Sequence, residues 1–599
     1  MKTLYRSLAA TALFFSVSAS YALPVTQYAE TSKLASGKWR TVTIASEGMQ
    51  LISNQQLKTM GFSDPSKVNV YGYGGRSVSE ALTTDTYVDD LPLQPVIRTE
   101  NGIIFFGTGT MKWEFQTSSY VPYRPVQNYY TTTSTYFLSD RELSEGEINN
   151  INVVDGTPFQ GGTDVTTFSD LLVHERELIH PSNTGNLMLG EDFRTNTSQD
   201  FNFTLKDIAP ESEAGLCISF ATKTSSASTS IVVTANGETL GATENDIIPP
   251  SDGSERFLQI KRSYKAIENP QENLSINIKY NPGGVVYLAN LDYISVAYER
   301  MLRLDEGRLH FLYNNKNINA ILNVEGCTST TEIWEVTNPA APVKINYVLE
   351  GSTARFTPTG RGSHEYIAFE PARVNTAPIS GTAVQNQDVH SMEVPDMVII
   401  SPRVFYNQAE RVAEMHRSKD GFTVHVVTPE ALYNEFSSGG ADAMAFRKAL
   451  KMWYDKGMLE GSSNRSKLKY CLLFGRPTYD QRMITDKVKN SGYTRTLQWQ
   501  TTEAYVQTTS FGMDDYLAML DDSEFGIESI MAGAKLRIGV GRFPVRLESD
   551  AREGVDKLLA YSENPGYGSW RNRVTMIADD GDAGVHMNQT DKMMLPNLV

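Results

Sequence analysis

A nucleophile, a base to serve it and a cluster of oxygen ligands are the groups to seek first, and this chain offers few of each. Its cysteines are Cys217, Cys327 and Cys471. Cys217 lies in Gly-Leu-Cys-Ile-Ser-Phe and Cys471 in Leu-Lys-Tyr-Cys-Leu-Leu-Phe. Both runs read as buried strands, where a free cysteine behaves as a small hydrophobe and its thiol is inert. The odd number and the spacing fit neither a disulfide framework nor a zinc site. His416 and His425 share the second half of the chain with Cys471, and a Cys–His pair needs only contact in space. The strand setting of Cys471 nonetheless speaks against a nucleophile. His174, His180, His310, His364 and His390 show no ligand spacing with one another or with the cysteines. His586 differs, because it follows Asp579, Asp580 and Asp582. An oxygen-rich loop suits calcium and an imidazole can complete a mixed site, while the plain reading is a solvated acidic turn. Asp521 and Asp522 follow an apolar run and are further metal candidates, with a simple turn as the alternative. Asp514 and Asp515 fit a substrate groove or an exposed loop.

The chain that must position these groups has 599 residues, too many for one core, so two to four domains are expected. Hydrophobic residues at 40% and aromatics at 10% are enough to fill real cores. A formal net charge of -16 argues against a nucleic-acid partner and against a polybasic membrane-surface protein. Lys2 and Arg6, the short apolar stretch Leu8–Val17 and the small residues of Ser20-Tyr21-Ala22 read as a signal peptide over residues 1–22. No later stretch reaches transmembrane length, so no transmembrane helix is expected.

Two hydrophobic periods divide the remainder. From 23 to about 390, short runs rich in Val, Ile, Thr, Tyr and Phe alternate with polar residues, as at Trp39–Ile44, Val68–Tyr73, Ile103–Phe106, Ser230–Thr234 and Leu274–Tyr280. This reads as a β-rich, sandwich-like region, taken as a domain over 23–170 and a second over 171–390. From 391 to 599 the pattern is α/β with a mainly parallel sheet. Continuously apolar strands are expected at Met397–Ser401, Phe422–Thr428, Leu468–Phe474, Ile538–Phe543 and Val574–Ala578. Helices are expected at about 407–418, 429–436, 441–456 and 548–562.

Several pieces of this second half are specific in their order. Leu472-Leu473-Phe474-Gly475 ends a strand, and Met513-Asp514-Asp515-Tyr516 precedes Leu520-Asp521-Asp522. Ile538-Gly539-Val540-Gly541-Arg542-Phe543-Pro544-Val545 follows, then Trp570-Arg571-Asn572-Arg573, Ile577-Ala578-Asp579-Asp580-Gly581-Asp582 and His586-Met587-Asn588. This order resembles the catalytic domain of the gingipain family of cysteine peptidases. Val70-Tyr71-Gly72-Tyr73-Gly74-Gly75, Phe105-Phe106-Gly107-Thr108-Gly109 before Trp113, and Tyr129-Tyr130 before Tyr136-Phe137-Leu138 look like the β-region that precedes the peptidase domain in one branch of that family.

The resemblance implies a caspase-like α/β fold and a cysteine nucleophile whose proton is managed by a histidine. The family places that histidine in a Gly-His-Gly strand end and the cysteine at the end of the next strand. Neither occurs in the sequence, and no cysteine follows Cys471, so the expectation is a chain truncated before its dyad and inactive by itself, with its sheet incomplete at the C-terminus. Asp579 or Asp580 would then be the acid that orients the histidine. Asp582 and His586 align with a structural calcium site, although Arg537 stands where relatives usually carry an acid. The branch implied is the sortase of type IX secretion. It would remove C-terminal signal domains from secreted protein cargo, work with other components of that system, and reside at the outer membrane, cell surface or periplasm of a Bacteroidetes-type bacterium. A non-catalytic β-rich envelope scaffold or adhesion module is the competing reading.

Overall fold

The structure, a computed structural model, describes residues 23–594 except 117–120, 145, 148–149, 225–226, 246–257, 317–318, 461–464, 502–508, 564–565 and 567. The signal-peptide expectation falls on residues 1–22, outside the described residues. The chain forms two compact units, one up to Glu548 and one from Ser549 onward.

The first unit begins with β-structure. Trp39–Ile44 pairs antiparallel with Ser134–Ser139, Val42 opposite Tyr136, and Asn69–Tyr71 extends the same sheet. Both faces are covered. Val42, Ile44, Tyr136 and Leu138 enter one core, while Trp39, Tyr71 and Phe137 enter another on the opposite face, as a period of two requires. Thr167–Glu175, Val286–Met301, Ala214–Thr224 and Gln259–Ile267 form one sheet of a sandwich. Ser198–Thr204, Asn273–Asn281, Thr229–Ala235 and Glu238–Asn245 form its partner sheet. Phe220, Ile231, Ile276, Ile278 and Ile294 fill the space between them. This sandwich interrupts a further β-layer pair: Asn152–Asp155 and Thr163–Val165 pair with Val343–Asn346 and Ala320–Glu325, strands that come after the sandwich in sequence.

The α/β part follows. Four strands lie in the order Val424–Val427, Met397–Ile400, Tyr470–Phe474, Gly539–Phe543, all parallel, with Ile399 opposite both Val426 and Leu472. The helix Tyr406–Asp420 stops at Gly421, whose φ of 67° is the left-handed conformation that glycine adopts without strain. The helix Pro429–Phe436 starts where sequence rules place it: Thr428 accepts from the Ala431 amide and Pro429 occupies the first turn.

The helix Ala443–Glu460 is the centre of this part. Its apolar side holds Phe446, Leu450 and Trp453, and its polar residues Arg447, Lys448, Lys451 and Asp455 are buried as well. Asp442 accepts from the Met444 amide at its start. Tyr28, Leu82 and Tyr87, from the beginning of the chain, join the same core as Met452 and Trp453.

The second unit carries the helix Glu548–Glu563 from its second residue onward, a short 3-10 turn at Ser569–Asn572 and a helix at Gly581–Met594. Tyr561 and Trp570 meet edge to face, 5.9 Å between centroids, and the Arg571 guanidinium lies 5.2 Å from both rings. The strand expected at Val574–Ala578 is not formed. The stretch is irregular and exposed, with Ile577 94% accessible. A strand is held by ladder hydrogen bonds to a neighbour, and among the described residues no strand pairs with this one.

Candidate functional site

Open parallel sheets present their chemistry outside the carboxyl ends of the strands. Here Phe474 is followed by Gly475, at a φ of 108°. A Cβ at Gly475 would meet the Thr496 hydroxyl at 2.4 Å, so only glycine lets the 496 segment cross this strand end. The neighbouring strand brings Arg542 to the same edge. Its guanidinium donates to both carboxylate oxygens of Asp514, at 2.7 and 2.6 Å. It also donates to the carbonyls of Gly475 at 2.8 Å, Thr496 at 3.1 Å and Leu497 at 3.0 Å. A planar fork of five N–H donors is suited to tying one carboxylate and three carbonyls together, and lysine is not. Asp514 therefore anchors the loop that begins at Gly512, and the adjacent Asp515 is exposed. Of the acids expected at a groove, one is spent on architecture and one faces solvent.

Cys471 lies one strand residue from Leu472 and is 2% exposed. Burial, with Asp514 adding to it and Arg542 opposing it, pushes its thiol up to about 12. A thiol in that state supplies almost no thiolate at neutral pH. Burial likewise pushes Cys217 and Cys327 up to about 11, and all three cysteines are free. His416 pairs with Asp420 at 2.6 Å on its own helix, and His425 bonds the Glu393 carbonyl at 2.9 Å.

The metal candidates divide. Asp521 is bound by Arg537 through two hydrogen bonds, one of 2.8 Å. Asp522 lies 2.7 Å from the Lys451 ammonium, which also holds Asp455 at 2.9 Å. Two carboxylates already compensated by fixed cations make a poor calcium donor set, since calcium takes six to eight oxygens. Asp579 and Asp580 are exposed and precede the helix Gly581–Met594 of the second unit, on which Asp582 and His586 stand four residues apart.

Two clusters that spacing does not reveal lie elsewhere in the first unit. Glu47, His310 and Glu365 hold ligand atoms close enough for a metal ion. Arg76 occupies the place of the cation: it forks onto Glu365 at 2.8 and 2.6 Å and reaches Glu47 at 2.9 Å. His390 is enclosed between Glu435 at 2.6 Å and Asp89 at 3.1 Å. Burial alone would lower its pKa, but those two hydrogen bonds outweigh it and raise it to about 10.

Comparison with known proteins places these features. Residues 390–598 match peptidase family C25. The crystal structure of dimeric latent PorU from Porphyromonas gingivalis is similar with a TM-score of 0.78 and 28% identity, covering 92% of this chain. The chain spans about half of that protein, 52% of its length. A carbohydrate-binding module of a multidomain xylanase from the hindgut metagenome of Trinervitermes trinervoides aligns at 13% identity over 21% of this chain and 95% of its own. Its TM-score of 0.14 is too low to carry an argument. No curated protein matches the sequence. Residues 390–598 thus resemble peptidase family C25, the gingipain family, and the multidomain fold that carries them is PorU-like.

Proposed function

We propose that this chain is the amino-terminal portion of a gingipain-type cysteine peptidase acting as an envelope sortase. In this reading it removes C-terminal secretion signals from type IX cargo and attaches the cargo to the surface. The observation that supports it most is the C25 match at 390–598 within a fold similar to PorU over nearly the whole chain. Among the described residues no helix is long and apolar enough to cross a membrane. The nucleophile and its histidine are assigned by family order to sequence following the acidic stretch 579–586. Asp579 or Asp580 then orients the imidazole, and Asp582 and His586 are the residues left for calcium. The buried state of all three cysteines fits a first 599 residues that position a site without supplying its thiolate.

One experiment tests this. The chain 23–599 and the longer gene product are incubated with a peptide spanning a cargo–signal junction and with a thiol-directed inhibitor. The longer product is expected to cleave the peptide and take the label; the 599-residue chain is expected to do neither, with Cys471 unmodified. Calcium is expected to raise the melting temperature of the longer product. Rapid modification of Cys471 together with cleavage by the short chain would sink the assignment. Absence of both from the longer product would favour the scaffold reading.

A further inference from the structure

The strand Asn69–Tyr71 is joined to Leu93–Gln94 by an irregular excursion over residues 72–92, closed at its base by the Gly72 amide donating to the Pro92 carbonyl at 2.8 Å. A structureless connection of that length inside a compact unit is uncommon and calls for a purpose. The excursion leaves its own β-layer and lies along the α/β part. A Cβ at Gly72, whose φ is 102°, would meet the Ser438 hydroxyl at 2.3 Å, so the loop departs in close contact with the segment after the helix Pro429–Phe436. Tyr73 donates to the Phe436 carbonyl at 3.1 Å, Tyr87 donates to the Lys448 carbonyl at 3.1 Å, and Asp89 meets His390.

Between these anchors stands Glu80. One of its carboxylate oxygens accepts from the Trp499 indole at 3.0 Å and the other from the Tyr516 phenol at 2.5 Å. The two rings stack with centroids 4.1 Å apart, and both are buried. The Tyr516 hydroxyl also accepts from the Gly526 amide at 2.8 Å, and Arg447 lies 4.7 Å from its ring centroid while donating to the Glu80 carbonyl. Trp499 is two residues from Leu497 and Tyr516 two residues from Asp514, the two loop positions that Arg542 holds from the strand side. Besides the short antiparallel pairing of Trp499–Gln500 with Gly512–Met513, each loop is thus held from the strand side by Arg542 and from the other side by a residue more than 400 positions earlier.

We propose that the N-terminal β-region is a working part of the site: through Glu80 it joins Trp499 to Tyr516 and so fixes the loops 496–501 and 512–518 at the carboxyl edge of the parallel sheet. Glu80 is a positioning residue. Calling that edge the peptidase site rests on the function proposed above; the mechanical link does not. Without the carboxylate, an indole N–H loses its acceptor inside a buried stack, and the phenol hydroxyl keeps only its hydrogen bond from the Gly526 amide.

Hydrogen–deuterium exchange on the 599-residue chain tests it without any catalysis. In Glu80→Ala, peptides covering 496–501 and 512–518 are expected to exchange about tenfold faster, while peptides over Met397–Ile400 and Ser134–Ser139 keep their wild-type rates. Glu80→Gln retains one acceptor and is expected to recover part of the protection. Tyr516→Phe, which removes one donor without shortening the loop, is expected to loosen the same two segments. Wild-type exchange in both loops in Glu80→Ala and Tyr516→Phe would overturn the proposal. So would a uniform acceleration of every peptide, which is the mark of general destabilisation. Loosened loops in a longer product that cleaves nothing would keep the link and remove the peptidase assignment.

Discussion

His390 shows how a group with no motif around it becomes the most constrained histidine in the chain. Its ring is fully enclosed and lies between two carboxylates from different parts of the fold. A folded pKa of about 10 against about 6.5 in an unfolded chain means the folded state holds the proton more tightly. The stability this contributes is complete below about pH 6.5 and is lost as pH rises towards 10. Lys448 nearby acts in the opposite sense, because burial pushes it down to about 8. Comparison of the wild type with His390→Gln isolates the histidine from that opposing effect of the lysine. The variant is expected to be less stable at pH 6.5 by a few kcal/mol, on the order that such a shift allows, and the gap is expected to close by pH 10. Urea unfolding at four pH values measures it, and a gap independent of pH would show that the imidazole is not charged. None of this was legible in the sequence. Asp89 is 301 positions from His390, and Glu435 is 45. The acids of 579–586 were legible as acids. Asp521 and Asp522 were too, but their partners Arg537 and Lys451 were not, since a fold chooses partners by space rather than spacing.

The helix Ala443–Glu460 makes the same point for an element. Its existence follows from hydrophobic periodicity, and its neighbour Pro429–Phe436 is bounded by a Thr-Pro start that any reader of the sequence can find. The parallel strands were legible as continuous apolar runs. Periodicity, however, assigns polar residues to solvent. Here Lys451 and Asp455, one turn apart, are 1% and 0% exposed at the side chain and face protein. Tyr28 donates to Asp455 at 2.5 Å, and Lys451 serves two carboxylates at once. Removing one partner of such a group leaves an uncompensated buried charge, which costs about 3–5 kcal/mol. Lys451→Met is therefore expected to lose that much in urea unfolding. The triple variant Lys451→Met, Asp455→Asn, Asp522→Asn is expected to recover most of it, because the charges then vanish together. A single-variant loss below about 1 kcal/mol would place the lysine among ordinary surface ion pairs. Val574–Ala578 fails in the reverse direction. Its apolar run satisfies the local signal for a strand, but a strand exists only beside another, and local sequence carries no word on that.

For the molecule as a whole, the division of the sequence into β-rich and α/β halves is plain from the change of period, yet the largest core ignores it. Leu23, Tyr28, Leu82 and Tyr87 are buried in the same cluster as Phe446, Leu450, Met452 and Trp453. Burying one large apolar side chain contributes about 1.5–3 kcal/mol, so four of them contribute on the order of the whole stability of a domain. The polar contacts run the same way: Tyr73, Glu80, Tyr87 and Asp89 bond to the α/β part from a single loop. A fragment of residues 390–599 would expose that apolar surface, together with Arg447, Lys448 and Asp455 deprived of partners on the other side. It is expected to show no cooperative thermal transition and to bind a hydrophobic dye, whereas the chain from residue 23 onward melts cooperatively and excludes the dye. Adding the β-region 23–389 in trans is expected to restore little, because the chain passes back and forth across the interface. Gly381–Val384 returns to pair with Trp39–Ile44 only a few residues before His390. If the fragment instead unfolds in one sharp transition within a few degrees of the longer chain, the α/β part is an independent domain. The loop 72–92 would then be a passenger on its surface rather than a component of its core.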